Sequence, residues 1–77
     1  MSSQVSRSLW RVFGTNLKAW RVRRGLTQEE AAHRCHVPYK RWQELEAGRV
    51  NTTLTTLARI AHALRLPPAD LLRTPRA

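Results

Sequence analysis

Residues 27–46 read TQEEAAHRCHVPYKRWQELE, and the fold is decided in this stretch. Thr27 is followed three residues later by Glu30. At that spacing the two side chains reciprocally satisfy backbone N–H groups of a first helical turn, so a helix starts here. It is short. Pro38 disfavours helical geometry at Val37 and interrupts it within about ten residues. Proline is accepted at a helix start, so a second helix opens at Pro38. It runs to Ala47 and ends at Gly48, a residue suited to the left-handed turn that closes many helices. Two short helices joined by a tight turn are predicted.

On the N-terminal side, Leu9, Phe13, Leu17 and Trp20 recur at helical spacing and share one face. Ser8 is placed to cap that helix. Its end carries Arg21, Arg23 and Arg24, cations suited to the negative end of a helix dipole, followed by Gly25. On the C-terminal side, residues 49–53 form a polar loop, and Thr52 or Thr53 caps a further helix. Leu54, Leu57, Ile60, Ala61 and Leu64 line one face of it. Pro67 and Pro68 end it and open a last short turn, from which Leu71 and Leu72 fold back on the core. The expectation is an all-α, compact five-helix domain over residues 9–72. A flexible N-terminal segment over 1–8 and a tail over 73–77 flank it.

Seventy-seven residues make one small domain, and a hydrophobic fraction of 42% suffices for a helical core with little to spare. The chain offers one flat binding face and no elaborate cleft, so an enzyme is not expected. Fourteen Lys and Arg against five Asp and Glu give a formal charge of +9, and all the cations but Lys18 and Lys40 are Arg. Such a field attracts nucleic acid or an anionic surface, and Arg suits planar phosphates and guanine edges. Cys35 is the only cysteine, so no internal disulfide forms. With no apolar run of membrane-spanning length and no signal-like N-terminus, a cytoplasmic protein is expected.

Two short helices and a tight turn inside a basic helical domain suggest a helix-turn-helix. The residues sharpen this. Leu26-Thr-Gln-Glu-Glu-Ala-Ala, Val37, Leu45-Glu-Ala-Gly48 and Leu54-Thr-Thr-Leu-Ala-Arg-Ile-Ala-His-Ala-Leu64 resemble, without a gap, the lambda-repressor/Cro-like (xenobiotic-response-element) family over residues 13–72. The resemblance implies a lambda-repressor-like DNA-binding domain. It implies that Gln28 hydrogen-bonds a DNA phosphate, and that Arg49, Asn51 and Thr53 form a second phosphate-binding segment, with the minor groove as the alternative for Arg49. It also implies a partly buried ion pair between Arg21 and Glu46 and a core position for Cys35. The sequence departs from the family at His36, where glycine is usual, at Pro38, which replaces a Ser or Thr cap, and at Trp42, which replaces an aliphatic residue.

At about 100° per residue, Trp42 and Leu45 point inward and Lys40 and Glu44 lie opposite, with Gln43 and Ala47 beside them. Tyr39 sits at the flank. This face is expected to enter the major groove. Lys40 suits guanine O6 or N7, Glu44 suits cytosine N4, Tyr39 suits a thymine methyl or a phosphate, and Gln43 completes the base-contacting set. Lys40 and Glu44 are also four residues apart and can instead pair with each other. Arg41 points sideways to the DNA backbone, and Thr27 joins Gln28 at the phosphates.

His33, Cys35 and His36 match no standard zinc spacing, so neither metal nor cofactor is expected. The reading is a sequence-specific transcriptional regulator, a repressor or autoregulator, binding double-stranded DNA at a palindromic operator as a homodimer. Its pairing surface is expected at the C-terminal helices, on Leu64, Leu66, Leu71 and Leu72. The alternative is an antitoxin or adaptor whose main partner is another protein, docking through Trp10 and the N-terminal extension.

Overall fold

A computed structural model describes the backbone of residues 3–74 and the side chains from Ser8 onward. The chain forms helices α1 (Ser3–Arg23), α2 (Gln28–Arg34), α3 (Tyr39–Glu46) and α4 (Leu54–Ala63), then a single 3₁₀ turn, η1 (Pro68–Leu71). The five expected helical elements are present, the fifth as one tight turn. What was expected of residues 1, 2 and 75–77 lies outside the described residues.

Helix α1 starts at Ser3, well before the cap expected at Ser8. No Gly or Pro interrupts residues 3–8, so no residue there stops the helix. Leu9, expected to head the buried stripe, is 41% exposed, because the core begins one turn later at Phe13. Phe13 and Leu17 are buried, and Trp20 packs half-buried at the edge.

Each α-helix leaves by the same corner. The residue after the cap takes left-handed geometry, and the next N–H reaches back five residues to a carbonyl. The pairs are Leu26 N–H to Arg21 O (3.2 Å), Val37 N–H to Ala32 O (2.9 Å), Arg49 N–H to Glu44 O (3.1 Å) and Leu66 N–H to Ala61 O (2.9 Å). The left-handed residues are Gly25, His36, Gly48 and Arg65, with φ of 69°, 57°, 70° and 58°. His36 therefore adopts the geometry for which glycine is the usual residue. No sequence feature had marked Arg65.

Trp42 is wholly buried in the core, in one cluster with Phe13, Leu17, Cys35, Leu45, Ile60 and Leu64. Gly14 lets α1 lie directly on the end of α3. A Cβ there would stand 2.5 Å from the Leu45 carbonyl oxygen and 2.6 Å from that of Glu46. Asn16 of α1 donates from Nδ2 to the carbonyls of Leu71 (3.0 Å) and Arg73 (2.7 Å), pinning the chain beyond η1 across α1. This removes two of the four residues expected at the pairing surface. Leu64 and Leu71 are fully buried within one chain, where η1 packs against α1 and α4. Leu66 and Leu72 are half-buried against the same core.

Candidate nucleic-acid interface

Helix α2 begins with the cap expected from its sequence. Thr27 Oγ1 accepts from the Glu30 N–H at 3.1 Å, and the Thr27 N–H donates to Glu30 Oε1 at 2.9 Å. The Thr27 backbone bond, followed by its side-chain bond, holds the Glu30 carboxyl below its ordinary pKa. The N–H groups of Gln28 and Glu29, in the first turn, have no protein acceptor among the described residues. They aim outward at the positive end of the helix dipole, where an anionic oxygen is stabilised.

Helix α3 has no side-chain cap. Pro38 stands at its N-cap with φ −56° and ψ 142°, outside the first turn where the sequence had placed it. The inward face is Trp42 and Leu45, both buried. Tyr39, Lys40, Arg41, Gln43 and Ala47 are exposed and Glu44 is half-buried. The side chains of Tyr39, Lys40 and Gln43 make no hydrogen bond among the described residues. Lys40 and Glu44 do not pair; the ion pairs among the described residues are Arg21–Glu46 and Arg73–Asp70. The outward face of α3 thus holds donors and acceptors uncommitted to the protein.

The C-terminal end of α3 is held by Glu46, whose side chain is 4% exposed. Arg21 Nε donates to Glu46 Oε2 at 2.5 Å and Arg21 Nη2 to Oε1 at 3.1 Å. Trp42 Nε1 donates to Oε2 at 2.6 Å and Gln28 Nε2 to Oε1 at 3.1 Å. Arg21 Nη1 also reaches the Leu26 carbonyl at 2.9 Å. One carboxylate therefore joins α1, α2 and α3. It explains how tryptophan fits where the family has an aliphatic residue: its indole N–H, costly to bury alone, finds an acceptor one turn away. It also changes the description of Gln28. One amide N–H of that side chain is engaged with Glu46, leaving the second N–H as its free donor.

In the loop after α3, Arg49 and Asn51 are exposed, and Arg41 Nη2 donates to the Asn51 carbonyl at 3.3 Å. Thr53 caps α4. Its hydroxyl accepts from the Thr56 N–H and donates to Thr56 Oγ1, each at 3.0 Å, so it is committed to the helix start. Three residues at this face were not singled out from sequence. Gly14 sets the seat of α3, and a lone glycine inside a helical pattern was its available signal. Lys18 lines a shallow depression with Arg21, Gln28, Gln43, Glu46 and Ala47. Arg59, one turn along α4 from Thr56, reaches the His36 carbonyl at 3.5 Å.

The remaining chemistry is quiet. Cys35 is buried, and desolvation pushes its thiol pKa up against the opposing pull of Arg34. Among the described residues no three His, Cys, Asp or Glu side chains converge as a metal site, and no helix is long and apolar enough to cross a membrane.

A family profile described as a helix-turn-helix domain matches residues 12–74. Comparison with curated protein sequences gives no match. Among solved structures, the chain is similar to the hypothetical transcription factor NHTF from Neisseria. The two are 30% identical with a TM-score of 0.85, over 91% of this chain and 80% of that one. It is similar to the clp gene regulator ClgR from C. glutamicum, at 34% identity and a TM-score of 0.78, over 83% of this chain and 82% of that one. It is also similar to the restriction-modification controller protein C.AhdI from Aeromonas hydrophila. There the identity is 29% and the TM-score 0.76, over 80% of this chain and 94% of that one.

Proposed function

Because the chain belongs to the helix-turn-helix domain family, with a lambda-repressor-like fold, we propose that it is a sequence-specific transcriptional regulator. It binds a palindromic operator as a homodimer and represses, its own gene included. The observation that carries this is the outward face of α3, where exposed Tyr39, Lys40 and Gln43 make no hydrogen bond within the described protein. A chain of net charge +9 supplies the attraction to DNA, and the relatives named above are transcription factors, gene regulators or controllers.

Tyr39, Lys40, Gln43 and Glu44 read base edges in the major groove. Thr27 and Gln28 at the start of α2, Arg41 on α3, and Arg49 and Asn51 before α4 hold the flanking phosphates, which orient the domain without reading sequence, while the Thr53 hydroxyl, engaged with Thr56, holds the start of α4 instead. A single domain of this size reads few base pairs, so two copies are needed, with half-sites about one helical turn, ~34 Å, apart. Pairing takes place at the α4–η1 end, where Leu66 and Leu72 remain half-exposed. A DNA target places its work in the cytoplasm, and the function requires neither catalysis nor a cofactor.

Selection of bound sites from random DNA tests the reading. The expected product is a two-fold symmetric sequence. Lys40→Ala should relax preference at one base position in each half-site, by about 1–3 kcal/mol. Arg49→Ala should weaken all sequences alike and flatten the salt dependence. Equal affinity for selected and scrambled DNA would mean charge-driven, non-specific binding. Little affinity for either would favour the protein-adaptor reading.

A further inference from the structure

A cleft runs between the start of α3 and the start of α4, with His36, Arg41, Asn51, Thr56 and Arg59 among its lining residues. No carboxylate lines it, and two of its walls carry guanidinium groups. Each guanidinium makes one long contact to a backbone carbonyl: Arg41 to Asn51 at 3.3 Å and Arg59 to His36 at 3.5 Å. Bonds of that length are weak and easily exchanged. Among the described residues neither arginine is in an ion pair. Two further donors face the same space. Thr56 Oγ1 accepts from Thr53, which leaves the Thr56 hydroxyl hydrogen free, and the Asn51 side chain is exposed without a partner.

We infer that this cleft seats one phosphodiester of the DNA backbone, shared between Arg41 of α3 and Arg59 of α4. The inference rests on the DNA-binding reading above and adds α4 to the contact surface. Charge complementarity selects an anion, because planar guanidinium forks match phosphate oxygens and no acidic group competes. Position selects the DNA backbone, because Arg41 is the next residue after Lys40, on the first turn of the helix assigned to the groove. A phosphate held from both α3 and α4 would fix the tilt of the reading helix at its N-terminal end. Glu46 does the same at the other end from within the protein.

The test uses the full chain and the DNA recovered by selection, with affinity measured as a function of salt. Arg59→Gln should bind about tenfold more weakly on every sequence. The slope of log affinity against log salt should become shallower by about 0.9, the value for one lost phosphate contact. The Arg41→Gln/Arg59→Gln double variant should lose less than the product of the single losses, because both arginines hold one phosphate. Wild-type affinity and slope in Arg59→Gln would overturn the inference, and so would independent losses in the double variant. Should Arg59→Gln fail to fold, Arg59→Lys carries the test. Weaker binding at an unchanged slope supports the inference, and unchanged affinity overturns it. A wild-type chain with no affinity for any DNA is a different result, and refutes the DNA-binding function itself.

Discussion

Glu46→Gln preserves the shape of a side chain that accepts four hydrogen bonds and removes its charge. The best the amide can do is place its oxygen where Oε2 was, keeping Arg21 Nε and Trp42 Nε1. Its NH₂ then faces two donors, Arg21 Nη2 and Gln28 Nε2. Gln28 can turn its own amide over and accept, but the guanidinium cannot. Arg21, 13% exposed, is left with one unanswered N–H and no counter-charge. Removing one partner of a buried pair costs about 3–5 kcal/mol, and the three contacts that survive lower this to about 2–3 kcal/mol. For a domain of this length each kcal/mol is roughly 4–8 °C in melting temperature, so a fall of about 10–20 °C is expected. Total stability at this length is about 4–12 kcal/mol, so the variant still folds in the cold.

Thermal unfolding followed by far-UV circular dichroism measures the fall. The Arg21→Met/Glu46→Gln double variant should lose clearly less than the sum of the single losses, since each single change strands the other partner. A melting temperature within ~3 °C of wild type would refute the claim that this carboxylate holds three helices together. Additive single losses would refute it as well. Loss of DNA binding in either single variant is then first a symptom of misplacing α3, and is interpreted only beside its melting curve.

Gly14→Ala should destabilise although alanine is the better helix former: a gain of about 1 kcal/mol in propensity is set against a Cβ driven into the carbonyls of Leu45 and Glu46, for a net loss of about 1–2 kcal/mol in urea unfolding. A more stable variant would show that α1 and α3 do not touch there. Arg65→Gly should stabilise by up to about 1 kcal/mol, because φ of 58° strains a side-chain-bearing residue but not glycine. An unchanged or lower urea midpoint would count against the corner at the end of α4. The Cys35 thiol should resist alkylation in the native state and react on unfolding. Burial raises its pKa, so its contribution to stability is present below the unfolded thiol value of about 8.5 and is lost as pH rises beyond it. Rapid native-state labelling would contradict the burial. Glu30 has the opposite sign: its lowered pKa adds stability above the ordinary carboxylate range, lost as pH falls through the folded value. Thr27→Ala should shrink that acid dependence, which a urea-midpoint titration from neutral to acidic pH would reveal.

The elements around the candidate site were legible because each rests on a local rule. A Thr-to-Glu spacing starts α2, Pro38 divides α2 from α3, and glycines close α1 and α3. The outward face of α3 followed from rotation alone once Trp42 and Leu45 were taken as core. What escaped depends on distances between elements. Periodicity identified Leu64 and Leu71 as apolar but not what covers them, and both are covered within the chain, where η1 packs against α1 and α4. The Gln28 contact with Glu46 and the seat at Gly14 exist only once α1, α2 and α3 are assembled. The early start of α1 escaped because polar residues with adequate helix propensity carry no positive signal.

The repeated corner has one further consequence. Such corners gain from an apolar residue immediately after the left-handed position, which folds back over the helix it has left. Leu26, Val37 and Leu66 occupy that place after α1, α2 and α4, each buried or half-buried. After α3 the occupant is Arg49, which is exposed, and Val50 takes up packing one residue later. The exit of α3 thus forgoes a stabilising contact that its three sister corners keep, and leaves the Arg49 side chain available for the phosphate contact proposed above.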